Sequence, residues 1–122
     1  MTQITQLEAQ LATLSQQPGL LGCALVDSST GLSWLQTGCV VGDSLIAEAA
    51  CEYWRLYLRH RDYFADMGDI RAQVIIHSAK RITIMGCGLE MILIAITDER
   101  TAVDWASWQA QVRQIKHMVE RL

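Results

Sequence analysis

Residues 89–97, LEMILIAIT, carry apolar side chains at both alternating sets of positions, Met91, Leu93 and Ala95 on one and Ile92, Ile94 and Ile96 on the other. Successive side chains of a β-strand point to opposite faces, so a strand with this pattern is stable only where both faces are covered. The segment therefore predicts a central strand in a sheet with further structure packed on each side. At 122 residues a second independent core would be too small to be stable, so a single domain over 1–122 is expected. Hydrophobic residues make up 51% of the chain and charged residues 19%, enough apolar material to fill a core on each face and too much for a disordered chain.

The neighbouring pattern is also β. Residues 70–78, 81–87 and 89–97 read as three antiparallel strands in direct succession, separated by Ala79-Lys80 and by Gly88. The first alternates Ile70, Ala72, Val74 and Ile76 against Arg71, Gln73, Ile75 and His77. Only one of its faces is uniformly apolar, which predicts an edge strand. Towards the N-terminus, residues 20–26 and 32–37 flank Asp27-Ser28-Ser29-Thr30-Gly31, whose side-chain acceptors and terminal glycine suit a hairpin turn.

Three helices complete the chain. Ile4, Leu7, Leu11 and Leu14 recur at spacings of three and four, a helical stripe that Pro18-Gly19 ends. Trp105, Trp108, Val112, Ile115, Val119 and Leu122 form a single seam on the last helix, opened by Thr101 and Asp104 in the spacing of a capping box. The middle helix, 45–60, is capped by Asp43 or Ser44 and carries two apolar stripes. One comprises Ile46, Ala49, Ala50, Tyr53, Leu56 and Tyr57; the other comprises Ala47, Cys51, Trp54 and Leu58. Charge is confined to Glu48, Glu52, Arg55 and Arg59. An arc this wide predicts a helix covered on more than one side.

The resulting order, α-β-β-α-β-β-β-α, resembles that of the Roadblock / dynein light-chain family over about residues 4–122. The likeness is carried by the hairpin LLGCALVDSSTGLSWLQTG, the helix LIAEAACEYWRLYL and the strands VIIHSAKRITIMGCGLEMILIAIT. It implies an α+β fold of the profilin-like, Roadblock type: a five-stranded antiparallel sheet with helices on both faces, the first and last on one and the middle helix on the other. It also implies a homodimer formed through the middle helix and an edge strand. On this reading Ala47, Cys51, Trp54, Leu58 and Ile75 are the candidate dimer-interface residues. Bacterial members of the family commonly bind a small Ras-like GTPase, and Glu48, Glu52, Arg55 and Arg59 are the candidate partner-binding residues at the rim of the paired helices. The expected function is a non-enzymatic protein-binding module that regulates or scaffolds such a GTPase. The alternatives are an assembly module without a GTPase partner and a small-ligand sensor, as in related profilin-like and PAS-like sheets.

Catalytic signatures are missing. No G-x-x-x-x-G-K-[ST] loop, G-x-G-x-x-G turn, G-x-S-x-G elbow or H-E-x-x-H helix occurs, so neither an enzyme nor a cofactor is expected. Cys23, Cys39, Cys51 and Cys87 form no CxxC pair, which argues for structural thiols in a reducing cytoplasm rather than a metal site. Gly86-Cys87-Gly88 reads as a tight hairpin rather than a loop presenting a nucleophile, and His77 as a surface or turn residue. A net charge of −3 without a basic run argues against nucleic acid. No apolar stretch approaches the roughly 20 residues of a membrane span, and the N-terminus lacks a signal-peptide pattern, so a cytoplasmic location is expected.

Overall fold

The computed structural model describes residues 2–98 and 103–122, with Ser44 described by its backbone alone. The doubly apolar segment is β5 (Met91–Asp98), and it is the middle strand of a five-stranded sheet. In chain order the elements are α1 (Gln3–Ser15), β1 (Leu20–Asp27), β2 (Ser33–Gly38), α2 (Ser44–His60), a 3-10 helix (Arg61–Met67), β3 (Gln73–Ile76), β4 (Lys80–Gly86), β5 and α3 (Trp105–Glu120). The strand order is β2-β1-β5-β4-β3, with every neighbouring pair antiparallel.

Two cores lie on opposite sides of β5. Leu7, Leu11 and Leu14 of α1 and Trp108, Val112, Ile115 and Val119 of α3 pack on Met91, Leu93 and Ala95. On the other side Ala47, Ala50, Cys51 and Trp54 of α2 pack on Ile92, Ile94 and Ile96. Leu93, Ile92 and Ile94 are fully buried, and burial of such a side chain contributes about 1.5–3 kcal/mol relative to exposure. Each helix start is satisfied by a side-chain acceptor: Thr2 for α1, Asp43 for α2 and Asp104 for α3. Asp104 Oδ1 accepts from the Ser107 amide at 3.1 Å, while Thr101 lies outside the described residues.

The edge strand departs from its sequence pattern. β3 is four residues long, and Ile75 pairs directly with Ile82, so both point into the α2-side core. Of the uniformly apolar set, Val74 and Ile76 therefore face the α1/α3 side and are exposed, while Ile70, ahead of the strand, packs at the margin of the α2-side core. Pairing register with β4, rather than apolar content, decides which face of β3 is inward.

Two glycines with positive φ separate backbone strain from steric collision. Gly38 (φ 68°) ends β2, and a Cβ there would collide with the Leu21 carbonyl oxygen, whereas a Cβ on Gly42 (φ 79°) would meet open space. Gly42→Ala should cost about 1–2 kcal/mol, the left-handed penalty alone. Gly38→Ala should cost clearly more, read as a larger drop in the urea midpoint at unchanged slope.

Candidate interaction surface

The exposed side of α2 is set by what its other side must do. Ala47, Cys51 and Trp54 are only 3%, 0% and 9% exposed, because they point at the sheet and close the chain's own core. These three candidate dimer-interface residues thus lie beneath the helix, against the chain's own sheet. The physical reason is distance: alanine and cysteine let the helix settle closely on β1 and β5, with Trp54 filling the space above Gly86. Leu58, of the same stripe, remains exposed, and Ile75 is half-buried beside Ile82.

Most of the other, bulkier stripe is left open, Ala50 alone of it being buried in the α2-side core. Leu45, Tyr53 and Leu56 are 73%, 45% and 49% exposed, with Ile46 and Tyr57 half-buried beside them. This arc borders a groove of about 530 Å³ between α2 and the β3–β4 hairpin, lined by Ile46, Ala49, Tyr53 and Ile82. Gln73 Nε2 donates to the Tyr53 carbonyl at 3.0 Å and so ties the helix to β3. The apolar surface continues into the 3-10 helix, where Phe64 stacks on Tyr57 at 6.1 Å between ring centroids and Tyr63 and Met67 are exposed. Sequence periodicity predicts no element over residues 61–69; the available signal is the spacing of Tyr63, Phe64 and Met67.

The charged residues occupy the opposite flank of α2, beside the β1–β2 turn. Arg55 Nε donates to the Ser28 carbonyl at 2.8 Å, and its Nη1 donates to Glu52 Oε1 at 2.6 Å. The ion pair is largely solvated and contributes little by itself, but the bond to Ser28 fixes the turn against the helix. Glu48 and Glu52 border a cavity of about 490 Å³ with Thr30, Gly31, Leu45 and Arg55. Arg59 is exposed one turn beyond Arg55. The turn is itself locked, since the Ser29 hydroxyl and amide donate to Asp27 Oδ1 and hold that carboxyl below its usual range.

No family profile and no curated protein matches the sequence. Among solved structures, a Roadblock/LC7 domain from Streptomyces avermitilis superimposes with a TM-score of 0.78 at 17% identity, over 93% of this chain and 94% of that one. MglB from Myxococcus xanthus does so with a TM-score of 0.79 at 13% identity, over 99% and 90%. The gliding protein MglB from Thermus thermophilus gives 0.77 at 10% identity, again over 99% and 90%. The chain has the Roadblock fold.

Within this Roadblock fold, His77 and Cys87 lie in the turns at the two ends of β4. The His77 amide donates to the Lys80 carbonyl in the β3–β4 turn, and the side chain is exposed. Cys87 follows β4 in a turn closed by its amide to the Met91 carbonyl at 2.9 Å, and it is buried. Among the described residues no group of three His, Cys, Asp or Glu could hold a metal, and no helix is long and apolar enough to cross a membrane. Burial pushes the Cys23 and Cys87 thiols up from 9.0 to about 12, and it raises Cys51 as well. Cys39 is the exposed cysteine. A thiol reagent at neutral pH should therefore label Cys39 quickly and the other three only at the rate of unfolding, as followed by mass spectrometry with and without denaturant. Fast labelling of Cys23 or Cys87 in folded protein would restore the nucleophile reading.

Proposed function

We propose that the chain, as one domain, is a non-enzymatic protein-binding module that pairs with a second copy and regulates a small Ras-like GTPase. The observation that carries the pairing is the continuity of three open features. These are the apolar arc of α2, the groove beside it and the unpaired edge of β3. An exposed edge strand next to an apolar patch is an aggregation hazard unless something covers it, and a two-fold copy covers both at once. The interface residues on this reading are Ile46, Ala49, Tyr53, Leu56 and Ile75, with Leu58 at the margin. Ala47, Cys51 and Trp54 support them from beneath. MglB has been solved in a tetrameric arrangement, and that protein superimposes with a TM-score of 0.73 at 10% identity, which supports self-association as a use of the fold.

The GTPase reading rests on the resemblance of the sequence to the Roadblock family and on the charge layout of α2. Glu48, Glu52, Arg55 and Arg59 lie beside an apolar arc, an arrangement in which apolar side chains anchor a partner and rim charges select it. Arg55 is already committed to Ser28 and Glu52, so on this reading it orients the surface while Glu48 and Arg59 meet the partner.

Light scattering at micromolar concentration should give twice the monomer mass for the wild type, and Tyr53→Glu should give a folded monomer. Trp54→Glu should instead lose the fold, because an unpaired carboxylate in the α2-side core costs several times the net effect of an exposed substitution. A wild-type monomer would end the pairing claim.

Titration calorimetry against small Ras-like GTPases of the source cell, in GDP and GTP-analogue forms, tests the partner. Combining Glu48→Lys with Arg59→Glu should weaken binding about tenfold while the dimer mass is unchanged. Heat from none of them leaves a dimeric assembly module without a GTPase.

A further inference from the structure

The face of the sheet opposite α2 is left open at its β3 end, where Val74 and Ile76 are exposed. Beside this step lies a cleft of about 310 Å³ between α3 and the approach to β3. Arg71, Arg113, Lys116 and the Gln109 amide line it, with Met85 and Val112 contributing its apolar part. Among the described residues no carboxylate lines it.

No carboxylate within the cleft lining balances these cations. The chain has ten Lys and Arg residues and a net charge of −3, yet three cations converge on one small concavity. Arg113 and Lys116 are three apart on α3 and share a face, a like-charge spacing that weakens a helix unless an anion joins them. The nearest carboxylate along the helix is Glu120, four residues on from Lys116, which lies 4.0 Å from His117 Nδ1 and beside Gly88, outside the cleft lining. Among the described residues Arg71, Arg113 and Lys116 form no ion pair.

We infer that this cleft binds a phosphoryl group. Two guanidinium forks can each take two oxygens of a tetrahedral anion, the ammonium adds a point charge, and Gln109 offers a neutral donor. A carboxylate carries one negative charge and would leave two of the three cations unmatched, whereas a phosphoryl group carries close to two at neutral pH. The volume is near the lower bound of small-ligand cavities, about 300 Å³, and admits a phosphoryl group with a short appendage. The carrier is a small phosphate ester or a phosphorylated side chain. The site is on the other side of the sheet from α2, so it stands or falls separately from the function proposed above.

The test is an amide NMR titration of the full chain with inorganic phosphate, sodium chloride being adjusted to hold ionic strength constant. Glycerol phosphate and a phosphoserine peptide, with its unphosphorylated form, make the second and third arms. Saturable shifts should gather at Arg71, Met85, Gln109, Arg113 and Lys116. Arg113→Gln combined with Lys116→Gln should raise the dissociation constant at least tenfold at unchanged melting temperature, and Arg59→Gln should leave it unaltered. Whichever ester binds more tightly than inorganic phosphate is the carrier class, and if neither does, the free ion is the ligand. Failure of all three probes to saturate below about 10 mM, or equal affinity in the double variant, overturns the inference.

Discussion

The burial of β5 on both faces is the condition on which everything else in this chain depends. A strand whose two side-chain sets are Met91, Leu93, Ala95 and Ile92, Ile94, Ile96 cannot stand at an edge or on a one-sided sheet without exposing one set to water. It must have a strand on either side and a layer above and below. β1 and β4 supply the first, α1 with α3 and α2 supply the second, and the chain order allows all the strand pairings to be antiparallel. The helices are thus not independent units; each is held by the face of β5 that it covers.

The two layers are unequal, and the inequality shapes the surface. One face is covered by two helices whose apolar seams are nearly consumed by the core. The other is covered by α2 alone, and one helix is narrower than the five-stranded sheet beneath it. Ile46, Ile75 and Ile82 therefore remain at the margins of the α2-side core, beside a groove rather than sealed within it. An apolar arc wider than one sheet face requires, on a helix narrower than the sheet, leaves surplus apolar surface on the flank toward β3. The polar flank, toward the β1–β2 turn, is closed instead by Arg55 on the Ser28 carbonyl.

Much of this was legible in the sequence because periodicity reports burial. The double alternation of β5, the single seams of α1 and α3, and the Asp27–Gly31 turn each have one structural solution, and the elements appear at those places. The α2 stripes were less informative. Period alone shows that two stripes exist but not which one faces the sheet, and the bulkier stripe carries the larger hydrophobic side chains. Close approach of a helix to a sheet favours smaller side chains, so Ala47 and Cys51 went inward together with Ala50 of the other stripe, Trp54 fitting over Gly86, and Tyr53 and Leu56 went outward. The four-residue β3 is a similar case, since so short a strand takes its facing from Ile82 and Ile84 on β4 rather than from its own composition. The 3-10 helix carries too little period to register as an element, although its aromatics extend the open surface.

The placement of charge follows the same division. With both faces of β5 dry, ionisable side chains are restricted to helix flanks, turns and the sheet's margins. On α2 the acids and bases of the outer flank partly compensate one another, through Glu52 with Arg55, and the turn beside them is fixed by hydrogen bonds from Ser29 to Asp27. That flank has its geometry set by the protein's own bonds, which would reduce the ordering cost of the binding proposed there. On α3 the cations toward β3 have no such compensation among the described residues. The sheet thus separates a preorganised, charge-balanced surface on one face from an unbalanced cationic cleft on the other. Because the β5 core lies between them, occupancy of either leaves the other sterically free.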